Sequence, residues 1–356
     1  MTMNDTINVC ICIPPSHDNR PADEQALTLE KFRELDPRLQ FHYAQYIDRP
    51  EVRALRGQPQ FDSARALIDP LPEALRQALA QAHIVLCVDL PFDMDQLAPN
   101  LRWVQSVGAG VAQLQHCGLD KLDGVMLTNG AGIAAAPIAE FVLARILSHW
   151  KLFDQYRENQ QKHQWTQVFG RDLAGSTLGI VGYGAIGHAI ATRAKAWGMK
   201  VVATRKHLPA NPRDPAVDHF YPIGELHTLL SQCDAVALTA AETPETYHLF
   251  NAEAFAAMPR GSYFCNISRG SLVEEPALIA ALVTGHLSGA SIDVATVEPI
   301  PADDPLWDTP NLAISPHCSP TAENFSRNAW LLFYDNMARF LAGKELKNLR
   351  STSFTE

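Results

Sequence analysis

The stretch GIVGYGAIGHAIATRAKAWGMKVVATRKH, residues 179–207, decides the fold of this chain. It begins in an apolar run, carries glycines at 182, 184 and 187, continues as a helical pattern to Trp197 and ends on a second apolar run, KVVAT. A strand, a glycine-rich turn, a helix and a second strand form a βαβ unit with parallel strands. The stretch therefore predicts a parallel sheet built around this unit.

The glycine-rich turn also predicts a ligand site. A GxGxxG turn that follows a strand and opens a helix directs unpaired N–H groups and the positive end of the helix dipole at phosphates. We therefore expect a dinucleotide whose pyrophosphate lies against Gly182, Gly184, Ala185, Ile186 and Gly187. A tight turn without a ligand is the alternative interpretation.

The end of the second strand bears on which nicotinamide dinucleotide is bound. NAD sites carry an acid about 20 residues after the turn, where it accepts hydrogen bonds from the ribose. No acid stands between Lys200 and Asn211, and the strand ends in Thr204, Arg205 and Lys206 instead. A hydroxyl and two cations suit a 2′-phosphate, so the sequence predicts NADP, with NAD possible. A solvated strand end is the alternative explanation of the two cations.

Short apolar runs alternate with helix-like segments along the chain, in two series. The first comprises INVCICI, LQFHYAQY, AHIVLCVDL, LRWVQSV and VMLTN, and the second comprises TLGIVGYG, KVVATR, AVALTA, SYFCNIS, GASIDVA and LAISPH. Because 356 residues exceed what one core usually supports, each series predicts its own domain. The expected fold is α/β, with a doubly wound Rossmann cofactor domain, a flavodoxin-like substrate domain, parallel sheets in both and a cleft between them.

The domain junction is placed just before a long helical pattern. The apolar residues of AAAPIAEFVLARILSHWKLFDQYRENQ recur at helical spacing and predict one helix that begins near Pro137. The dinucleotide-binding domain is predicted at 132–318. The substrate-binding domain is predicted at 1–131 and 319–356, where the second segment is an amphipathic helix that returns to it.

Composition and charge argue against several classes of protein. The formal net charge of −10 argues against a broad basic surface for nucleic acid or anionic lipid. No run approaches the roughly 20 apolar residues of a spanning helix, and no secretory signal is visible, so a cytoplasmic protein is expected. The seven cysteines show no zinc-like spacing, so we predict reduced core cysteines and no metal.

Chemically useful side chains follow three strands of the second series. NISRGSLVEEPAL contains Arg269, GASIDVATVEPIP contains Asp293 and Glu298, and LAISPHCSPT contains His317. Open α/β sheets bind ligands at the carboxyl ends of their strands, so these side chains are expected around one crevice. Each alone has an ordinary structural explanation. Their order after a dinucleotide turn points to catalysis.

From LRWVQSVGAGV to the last helix, the chain closely resembles the D-isomer-specific 2-hydroxyacid dehydrogenases. The resemblance implies that His317 is the general acid and Glu298 its hydrogen-bond partner. It also implies that Arg269 binds the substrate carboxylate or polarises the carbonyl, and that Asp293 faces the nicotinamide carboxamide. Backbone amides of a glycine-rich loop would bind the remaining carboxylate oxygens, and these belong to Val107, Gly108 and Ala109.

The basic residues 204–206 are similar to those of NADP-using glyoxylate and hydroxypyruvate reductases. The resemblance therefore implies an NADPH-dependent reductase of small 2-keto acids that produces D-2-hydroxy acids, acts as a homodimer and has no nucleic-acid or membrane partner. The segment GAGVAQL departs from the pattern, since Ala112 stands where many relatives have an aspartate. In the loop DLPFDM, Leu90 and Phe92 suggest an apolar wall of the substrate pocket.

Two other functions remain open on these grounds. A dinucleotide-sensing corepressor would keep the same residues without turning over a substrate. An NAD-dependent dehydrogenase of 3-phosphoglycerate would need a basic cluster for the substrate phosphate, for which Arg49, Arg53 and Arg56 are candidates. Such arginines more often lie on a solvated helix face.

Overall fold

The computed structural model describes residues 6–14, 18, 20–56, 61–206, 208, 213–320 and 322–354. The chain forms two compact units, Met1–Ile133 with Ala322–Glu356, and Ala134–Thr321. The sequence predicts the boundaries between the two domains after residues 131 and 318.

The first unit is built on a mostly parallel sheet. Its strands are β1 (Ile7–Ile11), β2 (Leu39–Tyr43), β3 (Ile84–Cys87), β4 (Trp103–Ser106) and β5 (Met126–Thr128), together with β13 (Leu349–Arg350) near the other end of the chain. The order across the sheet is β13-β5-β4-β3-β1-β2, in which only β13 is antiparallel to its neighbour. The order 2-1-3-4-5 is that of flavodoxin-like sheets and places the topological switch point between β1 and β3.

Helices cover this sheet, and the last long helix of the chain belongs to them. They are α1 (Ala22–Leu35), α2 (Pro50–Arg56), α3 (Phe61–Arg65), α4 (Glu73–Gln81), α5 (Met94–Leu97) and α12 (Ala322–Leu341). The ring of Phe333 lies 5.2 Å from that of Trp103, and Asn336 Nδ2 donates to Gln105 Oε1 at 3.0 Å. The apolar face of α12 therefore packs on β4 of the first unit.

The second unit is built on a fully parallel sheet. Its strands are β6 (Thr177–Val181), β7 (Lys200–Arg205), β8 (His219–Pro222), β9 (Ala235–Leu238), β10 (Ser262–Asn266), β11 (Leu287–Ile292) and β12 (Leu312–Ile314). They follow the order β12-β11-β10-β9-β6-β7-β8, which is the Rossmann order extended by one edge strand, with its switch point between β6 and β9. The prediction of two doubly wound parallel-sheet domains is confirmed.

Edge strand β8 was not among the predicted strands. Its sequence HFYP is short, ends in proline and is only partly buried, so it lacks the apolar signature of the inner strands.

Helices on both faces of this sheet include the one that follows the junction. They are α6 (Ala135–Trp150), α7 (Phe153–Gln161), α8 (Ala185–Ala196), α9 (Leu226–Leu230), α10 (Ala252–Ala257) and α11 (Glu275–Val283). The prediction of one continuous helix from Pro137 was wrong, because Leu152 adopts a left-handed conformation with φ of 60° between α6 and α7. The buried stripe of α6 ends at Trp150, and α7 buries none of its residues, so no core face maintains the helix beyond that point.

Cysteine burial differs from the prediction at one position. Six of the seven cysteines are buried and unpaired, whereas Cys318 is exposed. Across the described ranges, no helix is long and apolar enough to cross a membrane, and no cluster of histidine, cysteine and acidic side chains has the arrangement of a metal site.

Candidate active site

The glycine-rich turn after β6 has the geometry that a dinucleotide requires. Gly182 has φ of +100°, and a Cβ there would lie 2.4 Å from Cα of Ala240. A Cβ on Gly187 would lie 3.0 Å from Ile180 Cγ2, so this glycine allows α8 to press on β6. No atom lies within 4 Å of a Cβ built on Gly184, so a ligand can approach the backbone of this residue. These are the separate tasks of the three glycines in a dinucleotide turn.

The first turn of α8 presents unpaired donors beside Gly184. The amides of Ala185, Ile186 and Gly187 have no acceptor within the described part of the chain, and the helix carries no side-chain cap. Thr239 from the end of β9 donates to Gly182 O at 2.6 Å, which ties the turn to the switch point of the sheet. Free amides at the positive end of a helix dipole fit a pyrophosphate.

The three residues predicted to bind a 2′-phosphate lie in different environments. Thr204 is 1% exposed, and its hydroxyl accepts from the Gly182 amide at 3.2 Å. The Thr204 hydroxyl therefore supports the turn from inside the fold, and its contact with a 2′-phosphate stays a prediction. Arg205 and Lys206 are exposed, and Lys206 Nζ lies 3.9 Å from Glu245 Oε2.

A polar cluster beside this turn was missed from the sequence. The Tyr183 hydroxyl lies 3.0 Å from His188 Nδ1, which lies 3.1 Å from Asp214 Oδ2. Burial and the nearby Asp214 raise the pKa of Tyr183. The stretch from Lys200 to Asn211 contains no acid, and Asp214 lies just beyond it. The position of His188 in the helical pattern of α8 does not indicate its contacts with Tyr183 and Asp214.

The predicted acid and its partner are in direct contact. His317 Nδ1 lies 2.9 Å from Glu298 Oε2, and both side chains are partly exposed. The other oxygen of Glu298 accepts from the Ala295 amide at 2.9 Å. Burial of the carboxyl group acts to raise its pKa, but the hydrogen bonds from His317 and Ala295 and the charge of Arg269 outweigh it, so the pKa of Glu298 is lowered.

Asp293 fixes the loop that carries His317. Its carboxylate is 1% exposed and accepts from the Ser315 hydroxyl and from the amides of Cys318 and Ser319, both at 3.0 Å. The Asp293 carbonyl also accepts from the His317 amide at 2.9 Å. These contacts hold His317 in a left-handed conformation with φ of 51°. The cofactor-facing role of Asp293 stays a prediction.

Arg269 is exposed in the loop that follows β10. Its Nη1 donates to Ser268 O at 2.7 Å, and its carbonyl accepts from Asn266 Nδ2 at 3.0 Å. The remaining guanidinium N–H groups have no acceptor in the described residues, and the charge of Arg269 acts on Glu298. The second unit thus brings Arg269, Glu298 and His317 to the carboxyl edge of one sheet, as the sequence predicts.

The glycine-rich loop of the first unit follows β4. The Val107 amide donates to Cys87 O at 2.9 Å within the sheet, so it is not free to bind a carboxylate, which corrects the prediction for Val107. Gly108 O accepts from the Gly130 amide at 2.8 Å, and Ala109 O accepts from Asn129 Nδ2. The amides of Gly108 and Ala109 have no acceptor in the part of the chain that is described, so two free donors remain.

The loop after β3 differs from the expected apolar wall. Leu90 and Phe92 are buried, and the Phe92 ring lies between the guanidinium groups of Arg56 at 4.0 Å and Arg65 at 4.6 Å. Neither side chain therefore offers an apolar surface to a substrate.

Comparisons with known proteins agree with this geometry. Residues 143–319 match the family model described as D-isomer specific 2-hydroxyacid dehydrogenase, NAD binding domain. The chain is 31% identical over 288 residues to a glycerate dehydrogenase of Methylorubrum extorquens, covering 77% of this chain and 87% of the relative. It is 35% identical over 258 residues to glyoxylate/hydroxypyruvate reductase B of Citrobacter koseri, covering 70% of this chain and 78% of the relative.

Solved structures give the same result. A D-isomer specific 2-hydroxyacid dehydrogenase from Xanthobacter autotrophicus Py2, in complex with NADPH and MES, is 27% identical with a TM-score of 0.71, and the match covers 97% of this chain and 98% of that one. The Rossmann strand order, the open dinucleotide turn and these matches lead to one identification. The chain is an NAD(P)-dependent oxidoreductase and belongs to the D-isomer-specific 2-hydroxyacid dehydrogenase family.

Proposed function

We propose that this protein is an NADPH-dependent reductase of glyoxylate, hydroxypyruvate and similar small 2-keto acids, which it converts to D-2-hydroxy acids. The observation that carries the proposal is the contact of His317 Nδ1 with Glu298 Oε2 at 2.9 Å, next to Arg269 at the carboxyl edge of the sheet. In this proposal, the second unit binds the dinucleotide and the first unit binds the substrate.

His317 is the proton donor of the proposed reaction. Its Nδ1 is directed at Glu298, which leaves Nε2 without a partner in the described residues and available to the carbonyl oxygen. The carboxylate of Glu298 fixes the orientation of the imidazole ring. A nicotinamide dinucleotide held at the turn from Gly182 to Gly187 would supply the hydride to the carbonyl carbon. Proton donation from a positioned imidazole is worth roughly 10²–10⁴-fold in rate.

Arg269 of the second unit binds the substrate carboxylate. The free N–H groups of Arg269 form a planar donor set that matches a carboxylate better than lysine does. In the first unit, the two unpaired amides of Gly108 and Ala109 are suited to a carboxylate. Binding of the carboxylate orients the adjacent carbonyl toward its proton donor.

Arg205 and Lys206 support NADPH as the cofactor. Both are exposed at the carboxyl end of β7, where the adenosine ribose of a dinucleotide lies in a Rossmann sheet. Arg205 has no ion-pair partner within the described residues, so its charge is available to a 2′-phosphate. The similar Xanthobacter dehydrogenase contains NADPH, and the similar Citrobacter protein is named a glyoxylate/hydroxypyruvate reductase.

The 3-phosphoglycerate alternative loses its support in the first unit. Arg56 pairs with Asp48, Arg53 pairs with Asp89, and Arg49 lies 3.8 Å from Asp69. Because each of the three arginines faces an aspartate, they do not form a free basic cluster for a phosphate.

A homodimer is also part of the proposal. Trp165 is 98% exposed and Phe169 is 84% exposed, and both line an open concavity of about 550 Å³ together with Tyr156 and Val168. The segment that follows α7 thus exposes large aromatic side chains to solvent. An exposed aromatic surface of this kind fits a two-fold interface with a second copy of the chain.

The experiment that tests the function is a substrate panel. Purified protein is assayed for multi-turnover oxidation of NADPH and NADH with glyoxylate, hydroxypyruvate, pyruvate and phenylpyruvate. The proposal predicts turnover of glyoxylate and hydroxypyruvate, with NADPH preferred, and the D-enantiomer as product. Cofactor binding without turnover of any of these acids would favour the corepressor alternative.

A further inference from the structure

The segment that leads from β11 to Glu298 is bound by a second acid, which the proposed mechanism does not use. Glu298 Oε1 accepts from the Ala295 amide at 2.9 Å, and the next amide, that of Thr296, donates to Glu275 Oε1 at 2.7 Å. Two consecutive amides are therefore bound by two different carboxylates. One carboxylate belongs to the partner of His317, and the other belongs to the first residue of α11.

The backbone around the start of α11 fixes the position of Glu275. The Glu274 amide donates to Phe250 O at 2.9 Å, and the Phe250 amide donates to Leu272 O at 2.9 Å. Phe250 and Leu272 are fully buried, so this anchor is part of the core of the second unit. Glu275 thus offers its carboxylate from a backbone that the core holds in place.

The loop that carries Arg269 packs against the same segment. A Cβ on Gly270 would lie 1.9 Å from the carbonyl carbon of Ala295 and 2.2 Å from the nitrogen of Thr296. No side chain fits at such distances, so the backbone of this loop lies directly against the peptide group between Ala295 and Thr296. The packing fixes the position of that peptide group, and the hydrogen bond to Glu275 fixes the direction of its N–H.

The contact between Glu298 and His317 depends on where this segment holds the Glu298 carboxylate. Glu298 Oε1 is bound to the Ala295 amide, and Oε2 lies 2.9 Å from His317 Nδ1. A displacement of residues 294–298 would change the direction from which the carboxylate meets the imidazole. Misplacement of a catalytic group by about 1 Å can cost on the order of 10²-fold in rate.

A charge at the start of a helix is the alternative explanation of Glu275. An acid in the first turn stabilises a helix through its dipole, whatever its other contacts are. Glu253 has this position in α10, where its side chain is exposed and has no hydrogen bond within the described residues. Glu275 differs from Glu253 in its bond to Thr296, which requires an acceptor oxygen at a given distance and does not require a charge.

We propose that Glu275 is a positioning residue, which supports proton donation by fixing the segment that holds the Glu298 carboxylate. This inference rests on the proposed reductase function, because it adds a residue to the machinery of that reaction. The Glu275 side chain binds the backbone of Thr296 and not the His317 ring. Its effect on the rate therefore passes through Glu298.

The variants Glu275→Gln and Glu275→Asp separate the two explanations. Glutamine keeps the acceptor oxygen and loses the charge, whereas aspartate keeps the charge but is one CH₂ group shorter. We expect kcat of the glutamine variant to stay within about threefold of the wild type and kcat of the aspartate variant to fall roughly 10- to 100-fold, with the NADPH Kd unchanged in both. Full activity of the aspartate variant, or an equal loss in the glutamine variant, would overturn the proposal.

Glu253→Ala is the matched control, because it removes an acid from the first turn of another helix of the same unit. Its kcat is expected to equal that of the wild type. Thermal unfolding of each variant shows that the compared proteins are folded.

A double-mutant cycle shows whether Glu275 acts through Glu298. In the background of Glu298→Gln, the further substitution Glu275→Asp is expected to lower kcat by less than about twofold, because the carboxylate that Glu275 positions is already gone. A full additional loss would contradict an action through Glu298.

Hydrogen exchange of residues 294–298 gives a readout that does not need turnover. The amides of this segment are expected to exchange at least about tenfold faster in Glu275→Asp than in the wild type, and at the wild-type rate in Glu275→Gln. Unchanged exchange in the aspartate variant would overturn the positioning role. Absence of turnover of every 2-keto acid by the wild type would instead contradict the proposed function, and the exchange result would be unaffected.

Discussion

His317 Nδ1 lies 2.9 Å from Glu298 Oε2, and the two residues follow neighbouring strands of one parallel sheet. The contact requires that the loops after β11 and β12 converge. Asp293, which follows β11, holds the loop after β12 because its carboxylate accepts three hydrogen bonds from that loop. Convergence of loops at the carboxyl ends of adjacent strands is how sheets of this class assemble active sites.

Glu298→Gln should reduce turnover and change the response of stability to pH. The variant keeps an acceptor for the Ala295 amide but removes the charge beside His317, so kcat is expected to fall roughly 10²-fold. The pKa of Glu298 is lowered from 4.5 in the folded protein, so its contribution to stability is fully present above that value and is lost as the pH falls through the lowered pKa.

The measurement for Glu298 is urea unfolding of the wild type and the variant from neutral pH down to a pH well below 4.5. The wild type should be more stable at neutral pH, by less than about 1 kcal/mol for a half-exposed pair, and the difference should shrink on acidification. A stability difference that grows as the pH falls would contradict the argument.

Arg205→Asp should invert the preference between the two cofactors. A charge-assisted hydrogen bond contributes about 1.5–3 kcal/mol, so kcat/KM for NADPH is expected to fall roughly 10- to 100-fold, while that for NADH changes much less. Steady-state kinetics with both cofactors give the ratio. Arg260→Asp serves as the control, since Arg260 is an exposed arginine near Thr284 and away from β7. Equal efficiencies of the two cofactors in the wild type would refute an NADP preference.

Asp293→Asn should loosen the loop that carries His317. The amide group would place a donor against one of the loop amides, which costs about 1–3 kcal/mol of stability and releases the left-handed conformation of His317. We expect a lower kcat with little change in the KM for NADPH, measured beside thermal unfolding. Asp303→Asn, in an exposed part of the neighbouring loop, is the control. A rise in the KM for NADPH at unchanged kcat would indicate a cofactor-binding role instead.

Trp165→Ser should weaken the proposed dimer. Removing a fully projecting aromatic side chain from the centre of an interface is expected to shift the equilibrium toward monomer by more than about 2 kcal/mol. Light scattering after size-exclusion chromatography at several concentrations measures the shift. Val283→Ser alters an apolar side chain that is 64% exposed elsewhere in the second unit and should have no effect. A wild type that is monomeric at all concentrations would exclude the interface.

The sequence predicted those features that depend on spacing along the chain. The glycines at 182, 184 and 187 and the strands around them have local signatures, so the two sheets and the dinucleotide turn could be anticipated. Arg269, Glu298 and His317 could be placed together because each follows a strand of the same sheet. Edge strand β8 was missed because its polar residues carry no burial signal.

The direction in which a side chain or amide points could not be predicted from the sequence pattern. The residue type of Thr204 suits a phosphate, but the hydroxyl is drawn inward by the Gly182 amide. Val107 lies in a glycine-rich loop, yet its amide completes the sheet with Cys87. In the sequence, Arg53 resembles a solvent-exposed helix residue, but in the structure it forms an ion pair with Asp89. Each outcome is set by a contact between segments distant in sequence.

The measurement that tests the central claim most directly is NADPH turnover by His317→Gln, with cofactor binding measured on the same preparation. Glutamine keeps the polarity of the side chain but cannot deliver a proton, so turnover of glyoxylate and hydroxypyruvate should fall by roughly 10²–10⁴-fold while the NADPH Kd stays within about twofold. Turnover equal to that of the wild type would contradict the assignment of His317 as the general acid.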